Sequence, residues 1–189
     1  FAKDLTINSN TITDNVGDIG AIWSYSTYNY TGSQTLTSSL ISNNTGTDLD
    51  SFDGNFKSDY TVYIGGYACG GDIIVRDNTI SDNQASISVF QAWEPLRLDL
   101  INNTFSGNLA TNGNNGTLPF INEIVGVYAP FYSYCSAVAP TIRDLKIIDN
   151  IGNPFEGEFF GYGPATGLEI SDLEIKGNTS ANLFRVEGI

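Results

Sequence analysis

An acidic loop holds the densest group of possible metal ligands in the chain. It carries Asp48, Asp50 and Asp53, followed by a Gly and Asn55. Carboxylate and amide oxygens are the ligands that Ca²⁺ prefers, so a calcium site is one interpretation. Phe52 stands where the alternation of an EF-hand loop would need an oxygen ligand, which favours a solvated turn. We therefore expect no cofactor, with calcium at these three carboxylates as the alternative.

Acid–base catalysis would have to rest largely on carboxylates, because the chain contains no His. Glycoside hydrolysis uses two carboxyl groups that flank the scissile bond. Asp77, Asp99 and Asp144 could serve if the fold brought them together. A solvated face or turn caps are the other interpretation of these acids, and we favour it. The chain is accordingly expected not to be an enzyme.

Aromatic residues form the second group with possible chemistry. Trp23, Tyr63, Trp93 and Tyr128 are candidates for an exposed strip that binds a glycan or a partner protein, since aromatic rings combine an apolar face with a polar edge. The other interpretation, which we favour, is an internal aromatic stack that fills the wide part of the fold.

A sequence repeat positions these residues. An aliphatic residue is followed five positions later by Ile or Phe, and three positions after that by Asn, as in Val75, Ile80 and Asn83. The pattern occurs six times and ends at Asn15, Asn44, Asn83, Asn108, Asn150 and Asn178. A pivot residue lies between the first two anchors, and it is Asn10, Ser39, Asn78, Asn103, Leu145 or Leu173.

The repeat predicts short stacked strands. Successive terminal Asn residues are 29, 39, 25, 42 and 28 positions apart, whereas rigid helical repeats hold their period. Apolar alternation, as at Ile73 and Val75, indicates strands. Each unit is predicted to have two strands joined at the pivot, an Asn turn and a third strand, for example at residues 87–90 or 159–160. The chain is therefore predicted to be an all-β, right-handed parallel β-helix solenoid of about six coils with three strands per coil.

The terminal Asn residues have a predicted structural role. Stacked coils place equivalent residues about 4.8 Å apart. The six side chains are therefore expected to form an amide ladder at one turn. The alternative is that they end unrelated strands of a sandwich, but a sandwich supplies no reason for the repeated spacing.

Two features depend on the loops between repeats. Cys69 and Cys135, the two cysteines, each precede a corner and are predicted to form an intrachain disulfide, with pairing to another chain as the alternative. N-glycosylation sequons occur at five Asn residues. Asn29 and Asn115 lie in predicted loops and are the better acceptors, Asn43 and Asn102 lie at corners, and Asn178 is a ladder residue.

Composition narrows the class of protein. The 189 residues carry a formal charge of -13, which excludes nucleic-acid binding because phosphate contacts need Lys and Arg. No apolar run is long enough to insert in a membrane. High Asn, Ser, Thr and Gly contents suggest an extracellular or cell-surface location. Residues 1–189 are expected to form a single β-helix segment, and the lack of polar caps predicts a longer solenoid or end-to-end stacking.

The [Ile/Phe]-x-x-Asn corners resemble the F-x-x-N repeats of right-handed parallel β-helix proteins typified by polymorphic outer-membrane proteins, within the pectin-lyase-like fold. Residues 20–23, Gly-Ala-Ile-Trp, are similar to the G-G-A-I/L-aromatic half of that repeat, with Ile19 in place of the first Gly. The resemblance implies surface display, adhesion or fibre formation.

Enzymes also share the pectin-lyase-like fold. Polygalacturonase-like sites use a His and an Asp-Asp pair, and both are missing here. Pectate-lyase-like catalysis needs an Arg base beside a calcium cluster, and no carboxylate cluster accompanies Arg76, Arg97 or Arg143. The sequence therefore predicts a non-enzymatic structural protein: a β-helical segment of a filament, appendage, stalk or adhesin that contacts itself or neighbouring solenoid segments end to end, and possible glycan partners. Polysaccharide binding or degradation is the alternative function.

Overall fold

The fold is built from parallel β-strands. The computed structural model describes residues 4–17, 20–26, 32–46, 60–66, 71–110, 123–129, 138–159, 168–180 and 184–187. All regular secondary structure in these ranges is β-strand, and every strand pairing is parallel. The predicted all-β class and the parallel pairing are thereby confirmed.

Two six-stranded sheets flank the pivots of the repeats. Sheet 1 precedes the pivots and contains Leu5–Asn8, Ser33–Thr37, Asp72–Arg76, Arg97–Ile101, Thr141–Arg143 and Glu169–Ser171. Sheet 2 follows them and contains Thr11–Thr13, Leu40–Ser42, Thr79–Ser81, Thr104–Ser106, Lys146–Ile148 and Glu174–Lys176. Neighbouring strands in each sheet come from successive repeats.

Two further sheets follow the terminal Asn residues. Sheet 3 is short and contains Val16–Gly17, Thr45–Gly46, Gln84–Ala85 and Leu109–Ala110. Sheet 4 has longer strands and contains Ile22–Ser26, Tyr60–Gly66, Ser88–Trp93, Glu123–Tyr128, Asn153–Glu158 and Phe184–Glu187. Because each sheet collects one strand from successive repeats in chain order, the architecture is consistent with a parallel β-solenoid.

Sheet 3 was not anticipated, since the repeat predicted three strands per unit. Its strands begin directly after the terminal Asn residues, where the backbone N–H of Thr45 donates to the carbonyl of Asn15 at 2.8 Å and that of Gln84 to the carbonyl of Asn44 at 2.8 Å. Two residues are too few to show an apolar period. The described chain therefore has four strand segments in its middle repeats.

The fifth repeat also differs from its prediction. Its strand in sheet 4 is Asn153–Glu158 and ends before Phe159. The prediction of a strand at Phe159 is therefore wrong, and residue 160 lies outside the described residues. This stretch contains Pro154 and Gly157, which are poor strand formers. Pairing with Glu123–Tyr128 on one side and Phe184–Glu187 on the other holds it extended. Neighbouring strands here override local propensity.

The chain bends at two points in each repeat, and both bends use left-handed backbone. The residue before each pivot and the residue before each terminal Asn have φ between 51° and 68°. These residues are Ser9, Ser38, Asp77, Asn102, Asp144 and Asp172 at the pivot bend, and Asp14, Asn43, Asp82, Gly107, Asp149 and Gly177 at the Asn bend. Asp, Asn and Gly are the residues that tolerate this conformation best.

Two columns of apolar side chains form the centre of the core. Strand register places Leu36, Val75, Leu100 and Ile142 in line in sheet 1. The equivalent column of sheet 2 contains Ile41, Ile80, Phe105 and Ile147. All eight side chains are fully buried, and burial of each contributes roughly 1.5–3 kcal/mol to folding.

Candidate functional site

The six terminal Asn residues are joined by hydrogen bonds that run in one direction. In every pair of successive repeats, the backbone N–H and the Nδ2 of one Asn donate to the same Oδ1 of the next. The backbone donor distances are 3.1, 3.0, 3.0, 2.9 and 2.9 Å from Asn15 to Asn178. The Nδ2 distances are 2.8, 3.0, 3.0, 3.0 and 2.9 Å. We call this set the Asn column.

The Nδ2 atoms of these Asn residues also donate hydrogen bonds to backbone carbonyls. The Nδ2 of Asn83 donates to the carbonyl of Ile41 at 3.0 Å, and the Nδ2 of Asn108 to that of Ile80 at 2.9 Å. Asn178 follows the same pattern and donates to the carbonyl of Ile147 at 2.6 Å. The column therefore satisfies buried polar groups, and its amides are occupied by structural bonds.

A second, shorter column lies at the pivots, and the sequence analysis did not predict it. The backbone N–H of Ser39 donates to Oδ1 of Asn78 at 3.0 Å, and the N–H and Nδ2 of Asn78 donate to Oδ1 of Asn103 at 3.1 and 2.9 Å. The backbone N–H of Asn10 donates to Oγ of Ser39 at 3.2 Å. The next pivot is Leu145, which offers no acceptor, so this pivot column ends at Asn103.

The outer face of sheet 4 carries the aromatic candidates. Ile22 and Val62 point into the core, so the alternating Trp23 and Tyr63 lie on the opposite face. Trp23 stacks on Tyr63 with centroids 4.3 Å apart and an interplanar angle of 14°. Trp23 is 40% exposed, whereas Tyr63 is 6% exposed.

A second aromatic pair lies two residues further along the strands. Trp93 and Tyr128 are in register and stack with centroids 4.0 Å apart at 9°, and both are partly exposed. Gly65 pairs with Trp93, and a Cβ at Gly65 would approach the Tyr63 ring to 2.9 Å. The four residues thus form two offset stacks rather than one straight strip.

Burial of the phenols affects their ionisation. Desolvation raises the pKa of Tyr63 far above its usual range, and nearby Tyr60, Tyr25 and Glu94 raise it further. Desolvation also raises the pKa of Tyr128, with smaller contributions from Glu94 and Glu158. Both phenols therefore stay neutral and can act as hydrogen-bond donors at physiological pH.

A buried polar cluster lies beside these stacks on the same face. Oγ of Ser88 donates to Oε2 of Glu123 at 2.8 Å and lies 3.3 Å from Oε1 of Gln91. Gly126 leaves the space that the Glu123 carboxyl occupies, because a Cβ there would clash with Oε2 of Glu123 and with Oε1 of Gln91. Nothing in the sequence pattern marked Glu123, since its environment is created by side chains from neighbouring strands.

The next repeats add an ion pair to this cluster. Glu156 pairs with Gly126 in the sheet, is 4% exposed, and accepts a hydrogen bond from Nη1 of Arg185 at 2.8 Å. The pKa of Glu123 is raised to about 8, mainly by desolvation and to a smaller extent by Glu156 and Glu158, while the Ser88 hydrogen bond and Arg185 oppose the shift. At neutral pH the Glu123 carboxyl is mostly protonated, and the ion-paired Glu156 provides a neighbouring carboxylate.

The acids considered for catalysis are separated in the structure. Asp99 is buried in sheet 1 and is bonded to Arg76 and, at 2.8 Å, to Nη2 of Arg97. Asp77 and Asp144 lie exposed in the pivot bend. Strand register places Asn102 between them, and its Nδ2 donates to Oδ1 of Asp77 at 2.7 Å. The Asp99 carboxylate therefore forms ion pairs with both arginines. Separately, Nε of Arg143 lies 3.9 Å from Oδ2 of Asp144.

Several predicted site residues lie outside the described ranges. They are the calcium candidates Asp48, Asp50 and Asp53, the cysteines Cys69 and Cys135, and the sequon residues Asn29 and Asn115. Asn43 and Asn102 are described and lie exposed at bends. Within the described ranges, His, Cys, Asp and Glu side chains form no group of three or more that could hold a metal ion.

Comparison of the chain with protein-family models, with curated proteins and with solved structures finds no match. In the part of the chain that the structure describes, no helix is long and apolar enough to cross a membrane.

Proposed function

We propose that this chain is a non-enzymatic, extracellular structural protein, a rigid segment of a cell-surface filament, appendage, stalk or adhesin. In this proposal the sheets wind as a right-handed parallel β-helix of six coils, within the pectin-lyase-like fold and related to F-x-x-N repeat proteins. The single observation that carries the proposal is the Asn column, which links all six repeats through paired hydrogen bonds.

The physical basis is the distribution of stabilising contacts. A solenoid is stabilised by contacts between neighbouring repeats. Its stiffness therefore depends on how strongly each repeat is bonded to the next. Here each interface has backbone pairing in three or four sheets, an apolar pair in each of sheets 1 and 2 that lies in the core or packs against it, and an amide bonded to the next repeat. Such a rod can separate or connect other surfaces without binding a small molecule.

The surface charge fits an exposed, extracellular rod. The formal charge of -13 keeps neighbouring rods apart through mutual repulsion, which opposes lateral aggregation of a repetitive β-surface. The proposed partners are other solenoid segments that continue the column end to end. No cofactor has a role in this proposal, and the proposed intrachain disulfide between Cys69 and Cys135 and the proposed glycans at the loop sequons would add protection outside the cell.

Immunogold electron microscopy of intact source cells tests this function. Antibodies raised against the chain should label rods or fibres outside the cell, and treatment of intact cells with protease should release the label. Label confined to the cell interior, or released label on compact particles, would refute the structural proposal.

Glycan binding is the second candidate, and the exposed indole of Trp23 favours it. Stacking on Tyr63 fixes the Trp23 ring while 40% of the residue remains accessible, so a sugar could pack on it without ordering a mobile side chain. Calorimetry with neutral and acidic oligosaccharides would measure this binding. Trp23→Ala should abolish it and Trp93→Ala should weaken it, whereas binding unchanged in Trp23→Ala would exclude this face.

A further inference from the structure

Charged side chains are distributed unevenly over the sheets. The Lys and Arg residues of the described ranges lie on sheets 1 and 2, with one exception on sheet 4; those on sheets 1 and 2 are Arg76, Arg97, Arg143, Lys146 and Lys176. The exception is Arg185, which is bonded to Glu156. Carboxyl groups of the third, fourth and fifth repeats lie on or directly after the strands of sheet 4, and they are Glu94, Glu123, Glu156 and Glu158. The outer face of sheet 4 is therefore acidic.

Tyr128 lies between two of these carboxylates. Glu158 pairs with Tyr128 in the sheet, and the backbone N–H of Glu94 donates to the carbonyl of Tyr128 at 2.7 Å. Desolvation is the main cause of the raised pKa of Tyr128, and Glu94 and Glu158 raise it further. Both carboxylates thus lie within electrostatic reach of one phenol. All three residues are partly exposed.

The remaining charge on this face is negative. Arg185 neutralises Glu156 through a 2.8 Å bond from Nη1 to Oε1. Desolvation raises the pKa of Glu123, so this carboxyl is mostly protonated at neutral pH. Glu158 takes part in none of the ion pairs between described residues. The carboxylates of Glu94 and Glu158 therefore give the face a net negative charge, within a chain of formal charge -13.

The stacked pair of Trp93 and Tyr128 supplies an apolar surface beside these carboxylates. The ring centroids are 4.0 Å apart at 9°, and both residues are partly exposed. Each ring covers a face of the other, so a pyranose would have less ring surface to pack on here than at Trp23. An aliphatic stem is narrower, and it can lie along the exposed margin of the stack while its charged end reaches the carboxylates.

A guanidinium matches this arrangement. Its planar fork can bond both oxygens of Glu158, and its remaining N–H groups can reach Glu94 and the Tyr128 hydroxyl, which is neutral and keeps lone pairs that accept hydrogen bonds. The same face already holds one such pair, between Arg185 and Glu156. A metal ion fits less well, because the described ranges contain no group of three or more His, Cys, Asp or Glu side chains that could hold one.

We propose that the outer face of sheet 4 binds an arginine side chain of a basic partner protein, with the guanidinium at Glu94, Tyr128 and Glu158 and its stem against Trp93. Aromatic residues and Arg are enriched in protein interfaces, and complementary charge steers such partners together. This surface goes beyond the proposed structural function, since it gives the chain a lateral partner and requires only the third to fifth repeats.

Peptide binding followed by fluorescence anisotropy tests the proposal. The probes are a short dye-labelled peptide rich in arginine and the same peptide with citrulline at every arginine, which keeps the planar shape and removes the charge. The arginine peptide should bind, more weakly as salt is added, and the citrulline peptide should bind about tenfold more weakly or not at all. No binding of the arginine peptide, equal binding of the two peptides, or tighter binding of an amino-sugar oligosaccharide would overturn the proposal.

Two variants locate the binding surface. Glu158→Gln should weaken binding of the arginine peptide roughly tenfold, and Tyr128→Phe, which keeps the stacked ring, roughly threefold or more. Glu174→Gln on sheet 2 is the matched control, because it changes the net charge equally, and it should leave the affinity within about twofold. Equal weakening by Glu158→Gln and Glu174→Gln would mean that the peptide responds only to overall charge, and the proposed surface would be wrong.

Thermal unfolding shows whether each variant is folded, and Tyr128→Phe decides the question if Glu158→Gln is not. Failure of these binding tests would leave the structural proposal standing, because that proposal depends on the Asn column and not on sheet 4.

Discussion

Asn83 directs two hydrogen bonds to one oxygen: its backbone N–H and its Nδ2 each lie 3.0 Å from Oδ1 of Asn108. Both residues are buried. Asn83 in turn accepts the same two bonds from Asn44 at 3.0 Å. A central column residue therefore satisfies groups in the repeats on both sides.

Asn83→Ala is expected to destabilise the fold strongly. The variant removes the side-chain acceptor of the Asn44 backbone N–H, one of the acceptors of the Asn44 Nδ2, and the donor to the Ile41 carbonyl. Each unsatisfied buried group costs roughly 1–3 kcal/mol, so the free energy of unfolding should fall by about 3 kcal/mol or more. Chemical denaturation would measure the loss.

Asn15→Ala is the matched control for that prediction. Asn15 is exposed and receives no bond from a described residue, so its removal leaves no buried donor of a preceding repeat without an acceptor. Its loss should be less than half that of Asn83→Ala. Equal losses at the two positions would show that the column does not transmit stability between repeats.

An Asn that replaces a buried Leu should destabilise the fold less at a pivot, where it extends the pivot column, than elsewhere in the core. In Leu145→Asn, the new side chain can accept from the backbone N–H of Asn103, as Asn103 does from Asn78. Leu100→Asn places the same amide in the apolar column, where this partner is missing. Thermal unfolding should show a loss for Leu100→Asn at least twice that of Leu145→Asn. The reverse order would contradict the role given to the pivots.

Gly126→Ala is expected to displace the Glu123 carboxyl. The added methyl would occupy the space of Oε2 of Glu123, and overpacking of this kind costs roughly 1–3 kcal/mol. Glu123→Ala in the same chain should recover part of that loss, because the space becomes free again. A double-mutant cycle measures the coupling. Strictly additive losses would mean that the two positions do not interact.

Stability should decrease with pH through the titration of Glu123. Its pKa is about 8 in the fold, whereas the ordinary value for a Glu side chain is 4.5, so the folded state binds the proton more tightly between these pH values. The stabilisation is therefore fully present below pH 4.5 and is lost as the pH rises through about 8. The melting temperature should fall across this range.

Glu123→Gln isolates this contribution. The amide cannot ionise, so the variant should show a smaller decrease of melting temperature between pH 4.5 and 8 than the unchanged chain. Glu174→Gln changes an exposed carboxylate on sheet 2 and should retain the original slope. If Glu123→Gln and Glu174→Gln had identical profiles, protonation of Glu123 would not be linked to folding.

The sequence was most informative where local chemistry repeats. The spacing of Ile80 and Asn83 recurs in every repeat, and it led directly to parallel strands and to the Asn residues that the structure joins by hydrogen bonds. The pivot column was visible in part, because the pivots of the first four repeats, Asn78 and Asn103 among them, are polar. Their hydrogen bonds required knowledge of the register between repeats.

Other features depend on contacts that no local pattern records. The strands of sheet 3 are too short to carry a period, and Asn153–Glu158 is extended because of its neighbours rather than its own composition. The environment of Glu123 arises from Ser88 and Gly126 together. Loops of unequal length separate these residues, so their proximity follows from the register and not from their spacing in the sequence.

Cryo-electron microscopy of the protein as isolated from its source tests the central claim most directly. We predict filaments in which strands stack along the axis at about 4.8 Å, with the amides of Asn83 and Asn108 in contact along a continuous column. Discrete particles without stacked parallel strands, or a map in which these two amides lie apart, would contradict the account.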